Sequence, residues 1–181
     1  IWFEIQEELD VTEFLGYETE KSEAQIIAIV VNGNRVDEVG QGNEAILVVN
    51  QTPFYAESGG QVGDAGFIKQ TGGDKVTFKV LDTQKKANGV FAHIGKLSKG
   101  KISVGTDVRL EVDSRRRQNV RANHSATHLL HAALRNRLGK HVTQKGSLVD
   151  SDRLRFDVSH PKALEKNELV DSENEVNKQI A

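Results

Sequence analysis

Between Ala24 and Val112 the chain is a succession of short β-type runs separated by turn signals, and after Asp113 that period disappears. This change constrains the fold more than any other feature. The expected strands are Ala24–Val31, Val36–Val39, Ala45–Val49, Gly66–Gln70, Lys75–Leu81, Val90–Ile94 and Asp107–Val112. Lys75-Val76-Thr77-Phe78-Lys79-Val80 alternates polar and apolar residues, the period of a strand with one buried face. Asn32-Gly33-Asn34 is a hairpin turn, because Asn and Gly accept positive φ. Seven short strands joined by glycine-rich turns predict a small closed, or nearly closed, β-barrel. Residues 1–23 read as a short helix and connector.

Beyond Asp113 the apolar residues fall four apart at Leu130, Leu134 and Leu138, with Ala126 and Ala133 beside them. That is a helix with one apolar stripe, and Gly139 is its stop signal. Val142–Val149 and Arg153–Val158 read as two strands about the Asp150-Ser151-Asp152 turn, and Lys166–Ile180 as a last helix. The expected fold class is therefore α+β: a barrel over 24–112 followed by an α+β core over 113–181, C-terminally truncated. The absence of methionine suggests that Ile1 is an internal cut.

The chain contains no cysteine, so disulfides, thiolate zinc sites and cysteine nucleophiles are excluded within these residues. No run of apolar residues is long enough to span a membrane, and a cytoplasmic location fits. With 24 Lys+Arg against 26 Asp+Glu, net charge does not announce a nucleic-acid partner. The distribution is more informative. Arg115, Arg116, Arg117 and Arg121 cluster at the expected helix start, either a solvated helix face or a patch for RNA phosphates.

His124 and His128 form an H-x-x-x-H on that helix, with His131 three residues further on. Imidazoles at i and i+4 share a face and can both reach one Zn²⁺. Ser125 stands where the metalloproteases carry a glutamate base, which excludes that chemistry. Two histidines do not complete a site, so the bare pair is also compatible with ordinary surface histidines. Phe54–Gly66 carries four glycines within eight residues, a hairpin loop needing positive φ or a backbone cradle for a phosphate, ribose or carbonyl. Gln144 can orient a water or a carbonyl, or be a plain strand residue.

Together Phe54–Gly66 (FYAESGGQVGDAG), Arg121–Leu134 (RANHSATHLLHAAL), Val142–Val149 (VTQKGSLV) and Arg153–His160 (RLRFDVSH) resemble the editing domain of bacterial alanyl-tRNA synthetase. The resemblance runs from about Lys21 onward. The same motifs occur in free-standing alanyl-tRNA editing proteins, and the H-x-x-x-H in the threonyl-tRNA synthetase editing domain. It implies zinc-dependent hydrolysis of Ser-tRNA(Ala) and Gly-tRNA(Ala), with His124 and His128 as metal ligands. It also implies that Thr127 and Gln144 act in discrimination and hydrolysis and that Gly59 and Gly60 line the pocket. Arg115, Arg116, Arg117 and Arg121 would hold acceptor-stem phosphates of tRNA(Ala). In the family a later C-x-x-x-H completes the zinc site, and these residues have no counterpart of it. ATP and Mg²⁺ would belong to a separate synthetic domain, and other domains of a synthetase chain would be partners. Alternatives are a tRNA-binding module without catalysis, a free-standing-type deacylase, or a zinc hydrolase of other substrates using His141 or His160.

Overall fold

The computed structural model describes residues 1–73 and 75–181. The chain divides into two compact units. The first comprises residues 1–58 and 62–116, the second residues 59–61 and 117–181. The elements of the first are α1 (Trp2–Leu9), β1 (Glu13–Phe14), β2 (Lys21–Val31), β3 (Asn34–Val36), β4 (Glu38–Gly40), β5 (Glu44–Val49), β6 (Gln51–Thr52), β7 (Gly66–Gln70), β8 (Thr77–Lys86), β9 (Val90–Lys99), β10 (Lys101–Ser103) and β11 (Asp107–Val112). Then come α2 (Ser114–Leu138), β12 (Gln144–Val149), β13 (Leu154–Val158) and α3 (Lys166–Ile180).

The barrel follows the order β11-β7-β8-β9-β5-β2, and β11 pairs back to β2 to close it. All six pairings are antiparallel, and closure leaves no row of open backbone groups. Phe78, Val80, Leu97, Val108, Leu110, Leu47 and Ile68 fill the interior. Each such side chain stabilises by about 1.5–3 kcal/mol through burial.

A register shift between Ile26 and Ala28 explains how one strand serves two cores. A bulge inserts one residue and so reverses which parity faces inward. Ala24 and Ile26 face the barrel interior before it and Ile29 after it, while Ala28 and Val30 face outward. On that outer side Ile5 of α1 is completely buried against Ala28, Val30, Val48 and Val90. Of residues 1–23, expected as a short helix and connector, the helix is α1, and its Ile5 packs on the outer face of the barrel. The expected strand Val36–Val39 is broken at Asp37 into β3 and β4, which pair with β2 and β10.

α2 opens after Asp113, whose carboxylate accepts the Arg116 amide at 3.0 Å as an N-cap, and most of the helix belongs to the second unit. It ends at Gly139, whose φ of +117° a residue with a Cβ would adopt only under strain. The β12–β13 hairpin pairs Ser147 with Phe156 and Leu148 with Arg155. α3 begins with a capping box between Glu165 and Glu168. Asn136 donates to Glu175 at 2.7 Å and Arg137 pairs with it at 3.2 Å, which ties α3 to the end of α2. No helix among the described residues is long and apolar enough to cross a membrane.

Candidate functional site

The second unit gathers most of the residues singled out by sequence. On α2 the Nε2 atoms of His124 and His128 lie 3.0 Å apart, with the rings edge to face at 4.7 Å. Two neutral imidazoles can hold this geometry only if one carries its proton on Nε2. The alternative is a shared cation. Two nitrogens at about 2.0–2.1 Å from one tetrahedral zinc stand about 3.3 Å apart, close to the separation seen. The pair therefore fits two corners of a zinc site. Among the described residues no group of three or more His, Cys, Asp or Glu could hold a metal ion.

Thr127 is buried, and its hydroxyl donates to the Asn123 carbonyl one turn back at 2.9 Å. Its oxygen retains lone pairs, so it can accept a hydrogen bond from a ligand but has no second proton to donate. Asn123 in turn donates to the Asp150 carbonyl at 2.8 Å, linking the turn of α2 before His124 to the β12–β13 turn. His131 lies against Phe156 with ring centroids 5.2 Å apart.

The glycine segment docks on the hairpin. Gly60 accepts the Val149 amide at 2.8 Å, and Gln61 bridges Val149 in parallel. At Gly60, φ is +85° and a Cβ would stand 2.5 Å from the Ser147 carbonyl oxygen, so both conformation and space require glycine. Ser147 joins the two sequence-selected features: Gln144 donates to its Oγ at 3.1 Å, and that Oγ reaches the Gly59 carbonyl at 3.4 Å. Sequence reasoning missed Ser147. Its signal is the three-residue spacing from Gln144 across the register shift between Gln144 and Gly146.

The four arginines do not act alike. Arg115 and Arg121 are exposed, and neither has a carboxylate within ion-pair distance among the described residues. Arg116 spends its guanidinium on the Gly63 carbonyl at 2.9 Å. Arg117 is only 4% exposed. Of the four arginines expected to meet phosphates, Arg115 and Arg121 are the exposed ones, whereas Arg117 is buried and Arg116 is partly so.

The remaining histidines are differently placed. His141 Nε2 and His160 Nδ1 are hydrogen-bonded at 2.8 Å with the rings stacked. In the barrel, His93 is fully buried: Nδ1–H donates to the Leu47 carbonyl at 3.0 Å, and Nε2 accepts from the Thr52 hydroxyl at 2.8 Å. Desolvation drives its pKa down to about 4 against the opposing Leu47 hydrogen bond. His93 is a neutral structural link.

A barrel followed by a helix that pairs two imidazoles can now be set beside known proteins. The chain belongs to the family described as tRNA synthetases class II (A), whose match covers residues 2–116. Within that class it is similar to alanine–tRNA ligases. It is 56% identical over 180 residues to that of Rhizorhabdus wittichii, 52% over 177 residues to that of Mesorhizobium japonicum and 56% over 180 residues to that of Sphingopyxis alaskensis. These alignments take in 98–99% of the chain and 20% of each relative, so the chain spans about a fifth of their length.

Proposed function

We propose that the chain is the editing region of an alanine–tRNA ligase and that its second unit hydrolyses Ser-tRNA(Ala) and Gly-tRNA(Ala). The single observation that carries this reading is the His124–His128 pair, 3.0 Å apart at Nε2 on one face of α2. The similarity of the chain to alanine–tRNA ligases supports tRNA(Ala) esters as the substrate class. His124 and His128 would hold zinc, with further ligands from outside these residues. Once bound, zinc would supply Lewis-acid polarisation of a water or orientation of the aminoacyl group.

The target is an ester, already activated, so no protein nucleophile is needed. Thr127 accepts a hydrogen bond from the seryl hydroxyl. A site that satisfies a substrate hydroxyl can discriminate strongly against the analogue that lacks it. Gln144, braced by Ser147, orients the attacking water or the ester carbonyl. The backbone at Gly59 and Gly60 gives the terminal nucleotide a close approach that side chains would block. Arg115 and Arg121 contact phosphates, which positions the acceptor end without reading sequence. ATP and Mg²⁺ would serve the synthetic domain, and the setting would be cytoplasmic.

Replacing His128 with Ala in the full-length ligase tests this directly. Deacylation of Ser-tRNA(Ala) should collapse while alanine activation stays intact; unchanged deacylation refutes the metal-helix assignment. A second reading, RNA binding without catalysis, is favoured by the lack of a three-ligand metal group among the described residues. Measuring tRNA binding beside deacylation in the full-length ligase and its His128→Ala variant separates the two: binding kept with deacylation lost supports catalysis on α2, and deacylation unchanged leaves RNA binding alone.

A further inference from the structure

The first unit carries an aromatic cluster that the barrel core does not use. Phe14 stacks on Phe91 with centroids 5.7 Å apart and meets Tyr17 edge-on at 5.0 Å and Tyr55 at 6.3 Å. Both tyrosines of the chain are therefore in this one place. Tyr17 is 87% exposed, so its ring is open to solvent. The Lys85 ammonium lies 5.3 Å from the centre of the Phe91 ring and has no carboxylate partner among the described residues. Glu57, the nearest carboxylate in sequence to the lining residue Ser58, is engaged by the Gln84 amide. These rings, with Ser58 and Lys85, line a cavity of about 180 Å³. That is smaller than the roughly 300 Å³ and above of sites that enclose a whole drug-sized ligand. It suits one planar ring system.

We infer that Phe14, Tyr17, Tyr55 and Lys85 form a stacking subsite for one base of a single-stranded RNA segment. The inference rests on the tRNA reading of the chain, and adds a place on the barrel where an unpaired nucleotide is held. The chemistry is that of non-sequence-specific single-strand binders. Every base has a π-face, so aromatic platforms accept any of them, while a free cation beside the platform meets the phosphate. Tyr17 supplies the exposed face, Phe14 and Phe91 hold it in place, and Lys85 supplies the charge.

The test is a titration of this chain with a six-nucleotide single-stranded RNA containing 2-aminopurine, whose fluorescence falls when the base stacks. Quenching is expected, with binding weakened about ten-fold or more by Tyr17→Ala and restored by Tyr17→Phe. Lys85→Ala should lower the salt slope by about 0.7, the share of one single-strand phosphate contact. Because Tyr17 is exposed, an unchanged thermal midpoint will show that Tyr17→Ala remains folded. No quenching, or quenching indifferent to Tyr17→Ala, overturns the subsite. Seryl-tRNA(Ala) deacylation by the full-length ligase is measured in parallel. Loss of stacking with deacylation intact removes this subsite alone, whereas stacking without any deacylation removes the editing function alone.

Discussion

The two units use histidine in opposite ways. In the barrel, His93 is sealed among apolar strands, with both ring nitrogens satisfied by Leu47 and Thr52. In the second unit, His124 and His128 turn like atoms toward each other at a partly open surface. The stabilising interactions differ in the same sense. Both hydrophobic clusters belong to the barrel unit and to α1 packed on it. The second unit buries Val120, Ala133, Leu134, Val142 and Val149 outside those two clusters and adds polar ties: Asn123 to Asp150, Asn136 and Arg137 to Glu175, Ser147 to Gly59. Exposed ion pairs such as Arg137–Glu175 contribute at most about 1 kcal/mol. A ligand that binds the folded form alone would add stability to the second unit.

This contrast is most easily broken at its apolar end. Phe78 is fully buried in the barrel, so Phe78→Ala should cost about 3–5 kcal/mol in urea unfolding. A cost below about 1 kcal/mol would show that the barrel core does not carry the fold. The His93 link predicts a pH effect of similar size. Its folded pKa of about 4 lies below the ordinary 6.5. Its contribution is therefore complete above pH 6.5 and is lost as pH falls through 4, about 3 kcal/mol in total. His93→Gln should flatten the pH dependence of the urea midpoint over that window; the same slope in both proteins would assign acid sensitivity elsewhere.

In the second unit, Gly60→Ala places a Cβ 2.5 Å from the Ser147 carbonyl at positive φ. A cost of about 1–3 kcal/mol is expected, read as faster hydrogen exchange at the Val149 amide, which donates to Gly60. Unaltered Val149 protection would mean that the glycine segment is not held by the hairpin. The smallest effect belongs to the arginines. Arg121→Ala should reduce the salt slope of tRNA binding by about 0.7–0.9, and Arg116→Ala, whose guanidinium is already committed to Gly63, by much less. Equal effects would erase the distinction the structure draws between them.

How much of this was readable beforehand depended on whether the signal was local. α3 occupies the expected Lys166–Ile180, because its apolar spacing and acidic start lie within the segment. The paired imidazoles follow from helical spacing alone, and the Gly139 stop from one residue's conformational freedom. Barrel closure was expected from many short alternating runs, and the β11–β2 pairing supplies it. The bulge between Ile26 and Ala28 was not readable: Ile26-Ile27-Ala28-Ile29-Val30-Val31 is uniformly apolar, and only the two separate cores reveal where the parity reverses. The fates of Arg116 and Arg117 were hidden for the same reason. Adjacent arginines look identical in sequence, whereas tertiary position decides which one meets a carbonyl, which is buried and which stays free. Ser147 became visible only when the hairpin register brought it under Gly59 and beside Gln144.

The central claim is that the α2 imidazole pair is the metal grip. It is tested most directly by following the ring-nitrogen NMR signals of all six histidines while zinc is added to this chain. The Nε2 resonances of His124 and His128 should shift together at the lowest zinc concentrations, with His93 unmoved. If both stay in place while His141 and His160 respond, or if none responds at saturating zinc, α2 does not hold the metal and the hydrolytic reading loses its foundation.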